Sequence, residues 1–405
     1  MKASPIPANE RLITLDVIRG FALFGIFLVN MPAFHSPHFI KQLYGVEPAY
    51  DGIDSIVYLF LQLFVQMKFF TIFSFLFGLG FYIFMSRADE KGLPMNRLFL
   101  RRTSILLTFG LLHLIFLWYG DILHLYAIGG FLLLFFYKRT AKTLLVWAVS
   151  LLFMFYVLTS LQFLLPPTFI QGMNAELTSE SSVAMKEYIN VYENASYLDW
   201  ISYRFGVEVS PILLNIPFTL IPVLVMFLVG LYAGKQKIFQ HIDERAAFIK
   251  KIQIISGLLS VPFVVILSLL LLSVLDAGFY KYAAVQLFTS LSGFSLCFFY
   301  ISTLTLLLRS SKWQNRLQLL RFAGQMALTN YLMQTFICLL IFRVFGLYHN
   351  ISLAAGTLFC LIIFTGQLFI SAAWLNYFRF GPFEWLWRTL TYGHMPALKK
   401  SKASI

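Results

Sequence analysis

The sequence predicts an all-α fold: a polytopic transmembrane bundle of about ten membrane-spanning helices with both termini cytoplasmic. Three observations carry that expectation. Apolar residues make up 59% of the chain and charged residues only 12%, with a mean hydropathy of +0.77; a soluble domain needs roughly a quarter charged residues to cover its surface. Apolar stretches of about 20 residues recur, separated by short basic or Gly/Pro-containing breaks, as bilayer-crossing helices require. Lys and Arg collect in alternate breaks, the pattern that the positive-inside rule produces.

In chain order the spans fall near 12–34, 67–86, 103–119, 121–137, 143–165, 210–233, 251–275, 282–308, 322–345 and 352–377. The stretch 53–66 is long enough for a further helix, either extending the second span or lying at the interface, and the interface is the preferred placement. In the second span, Gly78 and Gly80 permit close helix approach, while Lys68 near its external end is placed to snorkel outward. Residues 166–200 form the longest external loop, with a short amphipathic helix expected near 180–195. VSPILLNIPFTLIPV opens the sixth span, and its prolines predict kinks. The tail 378–405 is cytoplasmic and holds an interfacial segment, FGPFEWLWRTLTYG, in which Glu384 is placed to pair with a loop Arg. Residues 1–405 therefore read as one integral membrane domain in the cell membrane.

Charge placement tests the count. The segments 1–11, 87–102, 138–142, 234–251, 309–321 and 378–405 hold 24 of the 31 Lys and Arg residues. External segments carry Lys41, Lys186, Arg204 and Lys281 among a larger number of acids. The net charge of +13 thus reflects topology, and nucleic acid is not an expected partner. Cys297, Cys338 and Cys360 lie in apolar stretches and build neither a disulfide framework nor a metal site. The first apolar run lacks a cleavage pattern and reads as a retained helix.

Polar groups inside spans are costly and mark function or tight packing. Asp16 and Arg19 share one helical face at i, i+3, and Gly20, Leu23, Phe27 and Asn30 continue that stripe. The stripe is expected to face a watery cavity, with Arg19 as a guanidinium fork for phosphate or carboxylate; a local salt bridge is the plainer alternative. In GLLHLIFLWYGDILHLY, a tight external turn at Trp118–Asp121 folds two helices together. It brings His113 to about the depth of His124 and Tyr126. Two histidines, a carboxylate and a phenol suit general acid/base work or a proton relay, although Asp121 also stands where a helix cap belongs. Asn330 and Gln334 share a face in RFAGQMALTNYLMQTF, as ligand contacts or as glue between helices. His35 and His38 emerge just past the first helix, either as plain loop residues or as reactive groups.

RLITLDVIRGFALFGIFLVN, FFTIFSFLFGLGF, LLHLIFLWYGDILHLYA, GQMALTNYLMQT and FGPFEWLWRTLTYG together resemble, in this order, the blocks of the bacterial YeiB-like membrane family, whose domain of unknown function is numbered 418. The resemblance runs from about residue 11 to 393. The first block is also similar to the opening of the heparan-α-glucosaminide N-acetyltransferase family. That second resemblance implies acyl transfer from cytoplasmic acetyl-CoA to a sugar on the other face. Asp16, Arg19 and Asn30 carry over as motif positions, and His38 and His35 are the nearest equivalents of its reactive histidine.

The expected function is therefore a transmembrane acyltransferase, with acetyl-CoA or another acyl-CoA as co-substrate and an external or small glycosidic acceptor. His113, His124, Asp121 and His38 are the catalytic candidates. Asp16, Arg19, Asn30, Tyr126, Arg101, Arg102, Asn330 and Gln334 are the binding candidates. A carrier or exporter of a small molecule and a non-catalytic membrane scaffold are the alternatives. Expected partners are the lipid bilayer, a small-molecule substrate and, in a homo-oligomer, further copies of the chain.

Overall fold

A computed structural model describes residues 12–46 and 48–400. Among them no strand forms, and the apolar stretches of the sequence become helices. The first span is α1 (Ile13–His35), followed by the short α2 (His38–Leu43). Next come α3 (Gly52–Phe60), α4 (Lys68–Glu90), α5 (Met95–Phe116), α6 (Leu123–Leu133) and α7 (Ala141–Ser160). Residues 166–204 fold as α8 (Pro167–Asn194) and α9 (Tyr197–Arg204), the second capped by Ser196. Then α10 (Ser210–Leu214), α11 (Ile216–Lys235), α12 (Ala246–Leu271) and α13 (Lys281–Leu307) follow. The chain closes with α14 (Ser311–Arg316), α15 (Gln318–Gln325), α16 (Ala327–Leu339), α17 (Leu353–Tyr377) and α18 (Pro382–Tyr392).

Nine helical segments among the described residues are long and apolar enough to cross a membrane. The remaining expected span, 121–137, is a helix of only 11 residues, α6. At 1.5 Å per residue it is about 16 Å long, roughly half a hydrocarbon core. Exposed Val, Leu and Phe side chains such as Phe153, Leu258 and Val261 cover the outer faces of α7 and α12, as surfaces meeting lipid must be.

Glycines set how closely the helices meet. A Cβ on Gly20 would stand 2.0 Å from the Leu320 carbonyl oxygen, and one on Gly324 would stand 1.9 Å from that of Asp16. The LDVIRG and GQMALTN blocks are therefore pressed backbone to backbone, α1 against α15. Gly78 makes the same notch for the Phe227 carbonyl of α11, whereas Gly80 meets nothing. Gly110 closes the α5–α6 hairpin, since a Cβ there would stand 2.3 Å from the His124 nitrogen.

Further expectations change. Residues 53–66 continue the second span: the apolar helical segment runs over 39 residues, Gly52–Glu90. It is discontinuous, with a π-helical turn at Leu61–Val65 and a left-handed Met67 (φ 66°) before α4 resumes. The helix in the long loop runs 28 residues, Pro167–Asn194, instead of a short stretch near 180–195. The turn at Trp118–Asp121 is itself covered, with Trp118, Tyr119 and Asp121 all buried. A roof from α9 covers it: Tyr197 donates to the Phe116 carbonyl (2.7 Å), and Arg204 donates to those of Leu114 and Ile115 (3.0 and 3.3 Å). These are the open carbonyls at the end of α5, and a cation is their natural partner. Finally, Glu384 pairs with backbone instead of a loop Arg, as described next.

Candidate functional site

A cavity of ≈ 710 Å³ enters the bundle between α1, α4, α5, α6, α15, α16 and α18. Its mouth includes Glu90, Lys91, Lys237 and His241, residues of two of the basic breaks, so it opens on the face that the charge pattern assigns to the cytoplasm. Arg19, Arg87, Arg102 and Arg388 line it further in, and Leu23, Ile26, Phe73, Leu76 and Phe77 make the deep walls apolar. Ile122, Leu123, Tyr126 and Tyr331 close the inner end. The space thus joins a basic mouth to a mostly apolar interior.

Asp16 sits in this wall because its helix face crosses α15. Arg19 donates to Asp16 Oδ1 (2.8 Å) and Gln325 donates to Oδ2 (3.0 Å). The Arg19 side chain keeps 31% of its surface exposed, so the guanidinium retains donors for a ligand. Arg102 stacks on Trp387, its guanidinium carbon 3.7 Å from the ring centroid, and the indole N–H returns to the Arg102 carbonyl (2.9 Å). That stacking fixes a charged plane at the cavity wall.

The expected single span 322–345 is also broken, at Met326, between α15 and α16. Glu384 fills the exposed start of α16. Its Oε1 accepts from the N–H groups of Leu328 (2.7 Å) and Thr329 (3.1 Å), and its Oε2 accepts from the Thr329 hydroxyl (2.6 Å). Carboxylates belong at helix N-termini, although burial pushes this carboxyl above the usual range against the pull of those donors. Gly381 makes room there, since a Cβ would stand 2.2 Å from Glu384 Oε2 and displace it.

Just behind the inner end lies the histidine cluster. His113 Nδ1–H donates to Asp121 Oδ2 (2.8 Å), and His124 Nδ1–H donates to Asp121 Oδ1 (2.8 Å). Asp121 also caps α6 by accepting from the His124 backbone N–H (2.9 Å). Cap and cluster are thus one carboxylate. With its proton on Nδ1, His113 presents Nε2 as an acceptor, and the Thr335 hydroxyl occupies it at 2.9 Å. The His113 ring lies 5.2 Å from that of Tyr331, a residue of the cavity's inner wall. An imidazole oriented by a carboxylate, with its far nitrogen facing a hydroxyl, has the geometry of a general base.

Of the expected residues, Asp16, Arg19, Arg102 and Tyr126 line the cavity, and His113, His124 and Asp121 form the cluster behind it. Tyr126 donates to the Phe70 carbonyl (3.2 Å) and bonds Ser74 (2.9 Å), which ties α6 to α4. The others stand apart. Asn330 donates to Ser371 and the Ala323 carbonyl, and Gln334 to Gln367, joining α16 to α17 outside the cavity. Arg101 is exposed beside Gly393, and Asn30 is half-buried beyond the cavity wall. His35 is buried against Phe342 and Gly356. His38, at the start of α2, has its imidazole pushed down to about 4 by burial and by Lys41. Among the described residues no group of His, Cys, Asp and Glu is arranged to hold a metal, and the three cysteines are free and buried.

Several residues escaped the sequence reading. Tyr331 and Thr335, at i, i+4 on one face of α16, complete the histidine site, and that spacing was the available signal. Trp387 and Arg388 add to the cavity wall. Lys68 does not snorkel; its side chain is wholly buried.

Comparison with known proteins gives the lineage. Residues 233–394 match the family described as "Protein of unknown function (DUF418)". The chain is 36% identical to the uncharacterized protein YxaH of Bacillus subtilis (strain 168), over 98% of both chains. It is 27% identical to the uncharacterized protein YeiB of Escherichia coli (strain K12), over 97% of this chain and 99% of that one. This chain belongs to the YeiB-like DUF418 family. A third relative, an uncharacterized 39.9 kDa protein encoded in an amylase 3' region of Bacillus acidopullulyticus, is 32% identical over 98% of this chain.

Proposed function

We propose that this integral membrane protein is an acyl-CoA-dependent acyltransferase of the cell membrane, acting on a small glycosidic or other hydroxylated acceptor. The observation that carries the reading is the alignment of three features along one path: a basic mouth, an apolar shaft, and a carboxylate-oriented histidine behind its inner end. The phosphates of the donor pair with Arg19, Arg102 and their basic neighbours, and the pantetheine arm lies along Phe73, Phe77 and Leu23. The thioester then stands near Tyr331 and Tyr126. His113 Nε2 removes the acceptor's proton as its oxygen attacks the thioester carbonyl. The new C–O bond forms, the C–S bond breaks, and the proton leaves with the CoA thiolate. Asp121 holds the imidazolium during the transfer.

A second reading, a small-molecule carrier, is favoured by one specific observation. Helices broken inside the membrane are typical of substrate pathways in transporters, and both breaks, at Met67 and Met326, adjoin elements that line the cavity. One pair of measurements separates the two. For the enzyme, acetyl-CoA or a longer acyl-CoA raises the unfolding midpoint of the purified full chain in detergent, and Arg19→Ala reduces that shift. Silence across all acyl-CoAs at millimolar concentration, with uptake of a solute into proteoliposomes lacking any acyl donor, would favour the carrier and remove the enzyme.

A further inference from the structure

The discontinuity in the Gly52–Glu90 segment carries a buried charge that neither reading uses. Lys68 opens α4 directly after the left-handed Met67, and none of its surface is exposed. Its Nζ donates to the Gln62 carbonyl (3.0 Å), in the π-helical turn before the break, and to Ser292 Oγ (2.9 Å) on α13. Gly293 lets α13 come this close, since a Cβ there would stand 2.9 Å from that of Met67. Depth is set by the neighbouring residue. The Phe69 ring fills the notch left by Gly25, where a Cβ would stand 1.9 Å from the ring. Gly25 is halfway along α1, about 18 Å from its start, so Lys68 lies deep within the hydrocarbon region.

The groups that accept from this ammonium are neutral. From the π-helical turn comes the Gln62 carbonyl. From α4 comes Thr71, whose hydroxyl returns to the Met67 and Lys68 carbonyls. Helix α13 adds Ser292; its Tyr300, bonded to the Phe64 carbonyl (3.1 Å), and Phe21 of α1 pack on the neighbouring Phe69 ring. None of the ion pairs among the described residues includes Lys68. A permanent charge there, held by two neutral acceptors, costs several kcal/mol of lost hydration. Lysine, unlike arginine, is the cation that can give up its proton in such surroundings.

We propose that Lys68 is a proton-binding site deep in the membrane, loaded as the ammonium and emptied as the amine, with water as the proton's source and sink. In the loaded form it bridges the outer half-helix to α13 through Gln62 and Ser292, and the Ser292 hydroxyl donates to the Thr289 carbonyl (3.0 Å). In the emptied form Nζ has a lone pair, so the Ser292 hydroxyl turns from Thr289 to donate to it. Proton loss thus reverses one hydrogen bond at the joint of the broken helix. Because α4 continues from that joint into Phe73, Leu76 and Phe77 of the cavity wall, the proton acts on the cavity whether it serves an enzyme or a carrier.

The test uses the full chain in lipid nanodiscs, labelled with 15Nζ-lysine. One lysine resonance, missing from Lys68→Gln, is expected to move between ammonium and amine positions as pH is raised through the range in which the protein stays folded. Ser292→Ala should shift the midpoint of that one titration, which identifies the resonance even if Lys68→Gln does not fold. A resonance that stays ammonium throughout overturns the proposal. So does Lys68→Arg with the wild-type pH profile of thermal stability, because a fixed charge would then suffice.

Discussion

Two ion pairs with nearly the same spacing do opposite work in this molecule. Asp16–Arg19 (i, i+3) lines the cavity with side chains 10% and 31% exposed, whereas Arg204–Glu208 (i, i+4) lies in the outer roof with both at 0%. The roof pair is wholly closed off from solvent. Arg204 is held by Glu208 Oε2 (2.6 Å), by two α5 carbonyls and by the Trp200 ring, and Glu208 Oε1 accepts from the hydroxyls of Tyr188 and Tyr192. The cavity pair keeps guanidinium donors facing water. A sealed pair bonded only to protein groups fixes structure; a pair left half open can bind something. The lesson extends to each half of the protein. The outer half is closed by buried aromatics and matched charges, and the inner half is kept wet and basic.

The largest expected effect tests the sealed side. Glu208→Ala leaves Arg204 and two tyrosine hydroxyls buried without their acceptor, which costs about 3–5 kcal/mol. Thermal unfolding in detergent should show the greatest loss of any substitution named here. The paired Arg204→Ala/Glu208→Ala variant should lose less than the sum of the singles, and strict additivity would break the contrast. His113→Ala comes next. It should lower acyl transfer by about 100-fold or more while moving the unfolding midpoint less than Glu208→Ala does. Equal losses of folding and activity would make the histidine cluster part of the roof's scaffold.

On the open side, Arg19→Ala should weaken acyl-CoA binding about tenfold, roughly 1.4 kcal/mol, with little change in stability. Affinity should also become less sensitive to salt, because a phosphate-facing charge has been removed. Arg19→Lys should restore only part of it, since the planar fork is lost. Unchanged affinity and salt dependence would sink the cavity's assignment as an anion mouth. The smallest effect concerns His38. Its imidazole is held below its unfolded value, so the stability it contributes is present above about 6.5 and is lost as pH falls toward about 4. His38→Asn should flatten that acid limb of the unfolding curve, and an identical limb in both proteins would contradict it.

Composition and periodicity made the class and most of the spans legible, because a bilayer imposes its thickness on local sequence. The Asp16–Arg19 pair and the His113–Asp121–His124 grouping were legible for a similar reason: each lies within one helix or across one short turn. Burial was not. Nothing local distinguishes the Arg19 that meets water from the Arg204 that does not, or tells that Lys68 turns inward to Ser292, more than 200 positions away in the chain. Thr335, Tyr331 and Trp387 likewise join their partners only when α5, α16 and α18 pack. Local sequence fixes which groups are polar and which turn of a helix carries them, whereas packing between distant segments decides which of those groups keep water and which lose it.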